Sequence, residues 1–355
     1  MRISNHPGSP VRGIAIAGAV FVLSLLVSVS AVGSLGPPPL FDDPDVRWRI
    51  EAFEAARDTV DVLFLGSSRV LRGFHPVAFD SEMAVRGHRL RSFNLGFQGL
   101  GAPEQTVMLE HLLQGGDSPA WVFLEVVPWR AALAEKKRFT RRAIAWHEPG
   151  ETLLLLGSLA RADIGFLDAA ELGALHLLQC GARVTHMARG PRIVDHLFGQ
   201  ETPGERPFLP DRGFEPLTID RREGDFARRR EEYLEGLDDL VRAWESGTSP
   251  RSRRQGPWEP SVAGLRRQVD LVRKAGARVI FVVAPTARET IEVRDLEEAG
   301  LLPLLLAFDD PARYPELYRV EHFFDREHLT PGGALVFSRL LADAFCRHLD
   351  GLEEH

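Results

Sequence analysis

The stretch Val60-Asp61-Val62-Leu63-Phe64-Leu65-Gly66-Ser67-Ser68 decides the architecture. Its first six residues are apolar and β-rich apart from Asp61, and the run stops abruptly at Gly-Ser-Ser. That pattern reads as a buried strand ending in a tight turn, because a strand covered on both faces need not alternate with polar residues. Three more runs share the character: Ser92-Phe93-Asn94-Leu95 before Gly96, Ala120 to Val127 (AWVFLEVV), and Ala277 to Ala284 (ARVIFVVA) before Pro285. Helical spacing of apolar residues lies between them, most plainly over Pro103 to Leu113 and Val262 to Lys274. Strand and helix in alternation imply parallel pairing. The expected fold class is therefore α/β: a three-layer sandwich with a mostly parallel central sheet.

On the N-terminal side, Arg47 to Asp58 reads as a short amphipathic helix, and Gly36-Pro37-Pro38-Pro39 as a stiff linker. Before the linker, no charged residue occurs from Gly13 to Phe41. Within it Ile14 to Gly33 is apolar or small throughout, the length that spans a hydrocarbon core of about 30 Å. Arg2 and Arg12 precede it and Asp42, Asp43 and Asp45 follow, which orients the N-terminus to the cytoplasm and the remainder outside. The run can be an uncleaved anchor or a cleaved signal peptide with Val29-Ser30-Ala31 at the cleavage site; its length favours the anchor. The expected organisation is a cytoplasmic N-terminus (1–12), a transmembrane anchor (13–35), a linker with a short helix (36–57) and one large domain (58–350).

On the C-terminal side, a section of about residues 131–257 separates the third and fourth runs. It holds a leucine-rich helical segment (Glu151 to Leu178), a Pro/Gly/Arg-rich stretch from about 189 to 224, and a helix at Phe226 to Trp244. It reads as a helical insertion with a loose middle. After Pro303 a short apolar patch leads to Phe323-Phe324. The chain closes with a helix over Pro331 to Leu349, with Thr330 as N-cap.

A formal net charge of -7 argues against nucleic acid as the main partner. Arginine clusters such as Arg228 to Arg230 and Arg251 to Arg254 alternate with acidic residues and read as solvated faces, with one anionic contact at most. The two cysteines, Cys180 and Cys346, either pair in an exported domain or stay as separate buried thiols. The twelve histidines show no ligand-type spacing, so neither a metal nor an organic cofactor is implied.

Three strand ends carry residues with chemical potential. Ser68 stands on a strand-to-helix turn, where a hydroxyl is lifted above the carboxyl edge of the sheet and becomes a nucleophile if a base lies near. Gly-Ser-Ser is equally an ordinary turn and cap. Asn94-Leu95-Gly96-Phe97-Gln98-Gly99 supplies glycines that let a backbone N–H approach a substrate. Asp325-Arg326-Glu327-His328 puts a carboxylate three residues before an imidazole, close enough for one turn of chain to join them.

Taken in order, these blocks resemble the SGNH hydrolases, a branch of the GDSL esterases and lipases with a flavodoxin-like sheet. Gly66-Ser67-Ser68 looks like the family's Gly-Asp-Ser, with Ser67 in place of the Asp; Gly99 matches the second-block glycine; Asp325 and His328 match the final Asp-x-x-His. The resemblance implies a triad of Ser68, Asp325 and His328 and an oxyanion hole formed by the N–H groups of Ser68 and Gly99. The third block departs from it. Val126-Val127-Pro128-Trp129-Arg130 replaces the family's Gly-x-Asn-Asp, and the only asparagines are Asn5 and Asn94. Trp129 and Arg130 are the candidate substitute donors. The single N-terminal helix before such a domain is similar to envelope-associated members, the alginate O-acetyltransferase group and the D-alanyl transfer protein. That implies an extracytoplasmic serine esterase or O-acyltransferase acting on an acylated carbohydrate or another ester. The alternative is a non-catalytic SGNH-fold binding or assembly protein beside a membrane acyltransferase.

Overall fold

The computed structural model describes residues 10–114, 118–127, 138, 140–160, 164–187, 189–198, 210–246, 259–287, 297 and 300–353. Helix α1 (Pro10–Ser34) is followed by α2 (Pro44–Ala56), β1 (Val62–Gly66), α3 (Ser68–Gly73) and α4 (Pro76–Val85). Next come β2 (Ser92–Gly96), α5 (Ala102–Leu113) and β3 (Trp121–Glu125). The middle of the chain holds α6 (Arg141–Trp146), α7 (Pro149–Leu159), α8 (Phe166–Val184), α9 (Gly190–Leu197), α10 (Phe226–Glu235) and α11 (Leu237–Glu245). Helix α12 (Glu259–Lys274) leads into β4 (Arg278–Val283), β5 (Leu305–Ala307) and the long last helix α13 (Pro331–Glu353).

The protein is α/β, with five strands in the order β2-β1-β3-β4-β5, and every neighbouring pair is parallel. The sheet is thus wholly rather than mostly parallel. Alternate residues of each strand enter opposite cores, because side chains in a strand point to opposite faces. Leu63, Leu65, Leu95, Val122, Leu124 and Phe281 pack with α2, α5 and α12 on one side. Val62, Phe64, Phe123, Ile280 and Val282 pack with α3, α4, α11 and α13 on the other. Both faces are covered, which explains why the runs read as continuously apolar. In the sequence, strand β5 shows only as an apolar patch. It is three residues long and pairs on one side alone, too short to leave a periodic signal.

The section after β3 is helical, but in shorter pieces than expected. The segment read as one helix from Glu151 to Leu178 is two, α7 and α8. The helix read over Phe226 to Trp244 breaks at Gly236 between α10 and α11. The stretch read as loose contains α9 and a 3-10 turn at Pro210–Gly213, where Asp211 and Arg212 adopt left-handed backbone (φ +49° and +54°). Cys180 and Cys346 are free thiols; Cys346 sits in the α13 core and Cys180 on α8. At the N-terminus, Gly13–Gly33 is an apolar helical span of 21 residues with mean hydropathy 2.5 and no burial, consistent with a signal or an anchor.

Asn94 shows how tightly β2 is joined to α3. It is fully buried; its Nδ2 donates to the carbonyls of Val70 (2.8 Å) and Phe74 (2.6 Å), and its Oδ1 accepts from Gly96 N–H (2.7 Å). A Cβ on Gly96 would overlap the backbone of Leu71, so glycine is required where the two elements touch. Each buried group left without its partner costs roughly 1 to 3 kcal/mol. Replacing Asn94 by Ala is therefore expected to lower the unfolding free energy by about 3 kcal/mol or more, seen as a lower urea midpoint.

Candidate active site

In a parallel sheet of this order the chain leaves β1 in one direction to reach β2 and lies on the other side of β1 with β3. The carboxyl ends of β1 and β3 therefore flank the crevice where ligands bind in open α/β folds. Ser68 stands there, at the start of α3, where the first N–H groups of a helix have no partner within it. Ser67 caps the helix: its hydroxyl accepts from Arg69 N–H at 3.2 Å.

The Asp325–His328 segment reaches Ser68 from the opposite side of the crevice. Phe323 and Leu329 form an isolated antiparallel bridge, and Phe324 N–H donates to the His328 carbonyl, closing a narrow loop. The loop is fixed to the strand end after β4, because Ala287 N–H and the Thr286 hydroxyl both donate to the Arg326 carbonyl (2.8 and 3.0 Å). Thr330 caps α13 as expected, accepting from Gly333 N–H.

The Ser68 Oγ lies 2.8 Å from His328 Nε2, and His328 Nδ1 lies 2.9 Å from each oxygen of Asp325. Asp325 and His328 are buried, whereas Ser68 is half-buried and open at the edge. Burial opposes ionisation of Asp325. The His328 ring and the N–H groups of Glu327 (2.7 Å) and His328 (2.8 Å) outweigh it and hold the carboxyl below its usual range. With the carboxylate on Nδ1, that nitrogen carries the proton and Nε2 is left to accept from the Ser68 hydroxyl. Ser68 and the Asp325–His328 pair, 260 residues further along the chain, thus form one hydrogen-bonded relay ending at a serine.

Two supports of the site were not expected. One is Glu125, the last residue of β3. It is fully buried, accepts from Ser67 N–H (2.5 Å) and the Ser67 hydroxyl (3.1 Å), and pairs with Arg69. A Cβ on Gly66 would collide with Glu125 and Val70, so this carboxylate fits only because residue 66 is glycine. The signal was present as the single charged residue in AWVFLEVV. The other support is α10. Arg230 donates to the carbonyls of Phe323 and Phe324 (2.9 and 2.8 Å), and Arg229 reaches Glu327 (3.3 Å) and Asp325 (3.8 Å). Of the cluster read as a solvated face, only Arg228 behaves so, pairing with Glu232 along the helix. Phe226 adds an aromatic wall, its ring centroid 6.4 Å from that of His328.

The other expected site residues fare differently. Gly99 lies in the turn between β2 and α5 at the same sheet edge, with φ +63°, a conformation that glycine adopts freely. Asn94 serves the fold rather than the edge. Trp129 and Arg130, read as substitute donors, lie outside the described residues. Among the described residues no cluster of His, Cys, Asp and Glu could hold a metal ion. No protein-family model matches the chain, and no curated protein matches it.

Two outcomes test this geometry. Replacing Glu125 by Ala leaves the Ser67 N–H and the largely buried Arg69 without their acceptor, and is expected to cost about 3 kcal/mol in urea unfolding. The second concerns pH. Asp325 has a native pKa below its unfolded value of about 3.9. Its contribution is therefore complete above that value and is lost as pH falls through the native pKa. Unfolding free energy measured between pH 6 and pH 2.5 should fall more steeply for the natural protein than for Asp325→Asn.

Proposed function

We propose that this protein is a serine esterase or O-acyltransferase of SGNH type, working outside the cytoplasm on an ester group, with an acylated envelope glycan as substrate. The observation that carries the reading is the continuous Ser68–His328–Asp325 hydrogen-bond relay at the carboxyl edge of the sheet. In this reading His328 Nε2 takes the Ser68 proton as Oγ attacks the ester carbonyl, and Asp325 stabilises the imidazolium that results. The tetrahedral oxyanion is met by the N–H of Ser68 and that of Gly99. When the C–O bond breaks, the leaving alcohol takes the proton back from His328 and the acyl group stays on Ser68. Water or a second hydroxyl then attacks the acyl-enzyme, giving hydrolysis or transfer by the same residues. The extracytoplasmic location follows from reading α1 as an anchor.

A non-catalytic binding or assembly role beside a membrane acyltransferase is the second reading. What favours it is the lack of an asparagine after β3, since loss of one oxyanion donor costs roughly 100- to 1,000-fold in rate. Trp129 and Arg130 occupy the corresponding stretch of sequence and can each donate, through an indole N–H or a guanidinium.

A fluorophosphonate probe and an aryl acetate separate the two. The catalytic reading expects Ser68 to become covalently labelled and Ser68→Ala to lose both labelling and turnover, the latter by a factor on the order of 10⁴ to 10⁶. No labelling of the natural protein, with no hydrolysis above that of Ser68→Ala, would establish the binding role instead.

A further inference from the structure

Helix α8 buries one side and leaves the other bare. Leu175, His176 and Gln179 face inward, against the layer built by α6 and α7. The opposite side, at the 3- and 4-residue spacing of one helix face, carries Leu167, Ala174, Leu177, Leu178 and Val184, all exposed; Leu167 and Leu178 keep 79% and 66% of their surface. Glu171 is the one charged residue on that stripe. Further exposed apolar side chains follow α8 at Met187 and at Phe198, the residue after α9, which keeps 72%. Large apolar side chains exposed along one helix face mark an interaction site.

The position of this surface identifies the occupant. The turn between α8 and α9 is clamped to the foot of α1: Arg189 pairs with Asp42 through two hydrogen bonds (2.7 and 3.2 Å) and donates to the Pro37 carbonyl. Both side chains of that pair are almost fully buried. A Cβ on Gly33 would overlap the His186 ring, and one on Gly36 would press on Ile193, so the last turn of α1 and its linker lie directly against this corner. A bilayer that takes up α1 therefore meets the corner where the apolar face of α8 ends. Amphipathic surfaces of this kind settle about 5 to 10 Å into the boundary between headgroups and acyl chains.

We infer that the exposed face of α8 and α9 is a second membrane contact, lying flat in the lipid interface beside α1 and fixing the domain's orientation on the bilayer. The inference rests on the anchor reading of α1. It goes further, because an anchor followed by a free linker would leave the domain to tumble. The docked layer is also tied to the site edge: Arg183 of α8 donates to the Ala145 carbonyl of α6 (2.9 Å), and Arg142 of α6 donates to the Gln98 carbonyl beside Gly99 (2.9 Å). Lipid contact thus holds the edge that carries Ser68 at a set height above the membrane.

The test uses the full chain reconstituted into vesicles of phosphatidylcholine and phosphatidylglycerol, in a Cys180→Ser background because Cys346 is buried. An environment-sensitive fluorophore is placed in turn at Leu178→Cys, Phe198→Cys, Leu23→Cys in α1, and Val85→Cys on α4 at the opposite layer, and quenched by lipids spin-labelled near the headgroup or deep in the chain. Expected are deep quenching at position 23, shallow quenching at 178 and 198 several-fold above that at 85, and a blue shift at both. Quenching at 23 with positions 178 and 198 indistinguishable from 85 overturns the inference and leaves the anchor intact. Absence of quenching at 23 as well removes the anchor and the inference together. A blue shift at 178 that grows with protein density but not with spin-labelled lipid overturns it in favour of a second copy of this chain.

Discussion

A buried carboxylate at the end of a central strand is costly unless every oxygen finds a donor, and the turn bearing Ser68 is arranged around one. Glu125 receives the Ser67 N–H and hydroxyl and the Arg69 guanidinium, so the residues on both sides of Ser68 are held by one acidic group. Ser68 itself is left out of that network and faces His328. The constraint propagates outward. Gly66 has to be glycine to admit the carboxylate, and Gly96 has to be glycine for α3 to lie against β2. Asn94 then ties the carbonyls at the far side of α3 to the same strand. The serine is positioned by neighbours that do no chemistry.

Much of this was legible because it is local or repetitive. Buried parallel strands leave unbroken apolar runs, so β1 to β4 could be read to within a residue or two from the chain itself. The Asp325–His328 pairing was legible because three residues of spacing nearly determine it. What escaped depends on long-range packing. Ser67, whose N–H Glu125 accepts, is 58 residues away in sequence, and no local pattern states that a strand's one charge will meet a turn's N–H. The Arg228 to Arg230 run looks uniform, yet adjacent helical residues point about 100° apart, so one side chain is solvated while its neighbours brace the histidine loop. The breaks at Gly236 and before Phe166 follow from how the helical layer folds over the sheet, whereas leucine content registered only that it was helical.

The helical section also determines how the molecule meets acid. His147 and His176 are fully buried and joined ring to ring at 2.9 Å. His147 Nδ1 lies against the Ala143 carbonyl and donates to it, which leaves Nε2 to accept from His176. Burial pushes His147 down to about 4, so the unfolded chain binds the extra proton below about 6.5 and this group makes stability rise with pH across that window. Burial also pushes Glu151 up to about 7 despite its pairing with Arg267. There the folded chain holds the extra proton, and stability falls as pH rises from about 4.3 to 7. The two slopes oppose each other over most of the same range, because one desolvating layer penalises a cation in one place and an anion in another. Below that range the surviving acid sensitivity comes from carboxylates held ionised. Asp325 is one. Glu215 is another: burial works against its charge, but Arg72, Arg49 and Arg221 prevail and lower its pKa. Both are lost in the same direction as pH falls, and Glu215 steadies α3 through the Arg72 ion pair while Asp325 steadies the loop of His328. Acid therefore weakens the supports on both sides of the Ser68–His328 contact, whereas the five strands between the two cores carry a single carboxylate, that of Glu125.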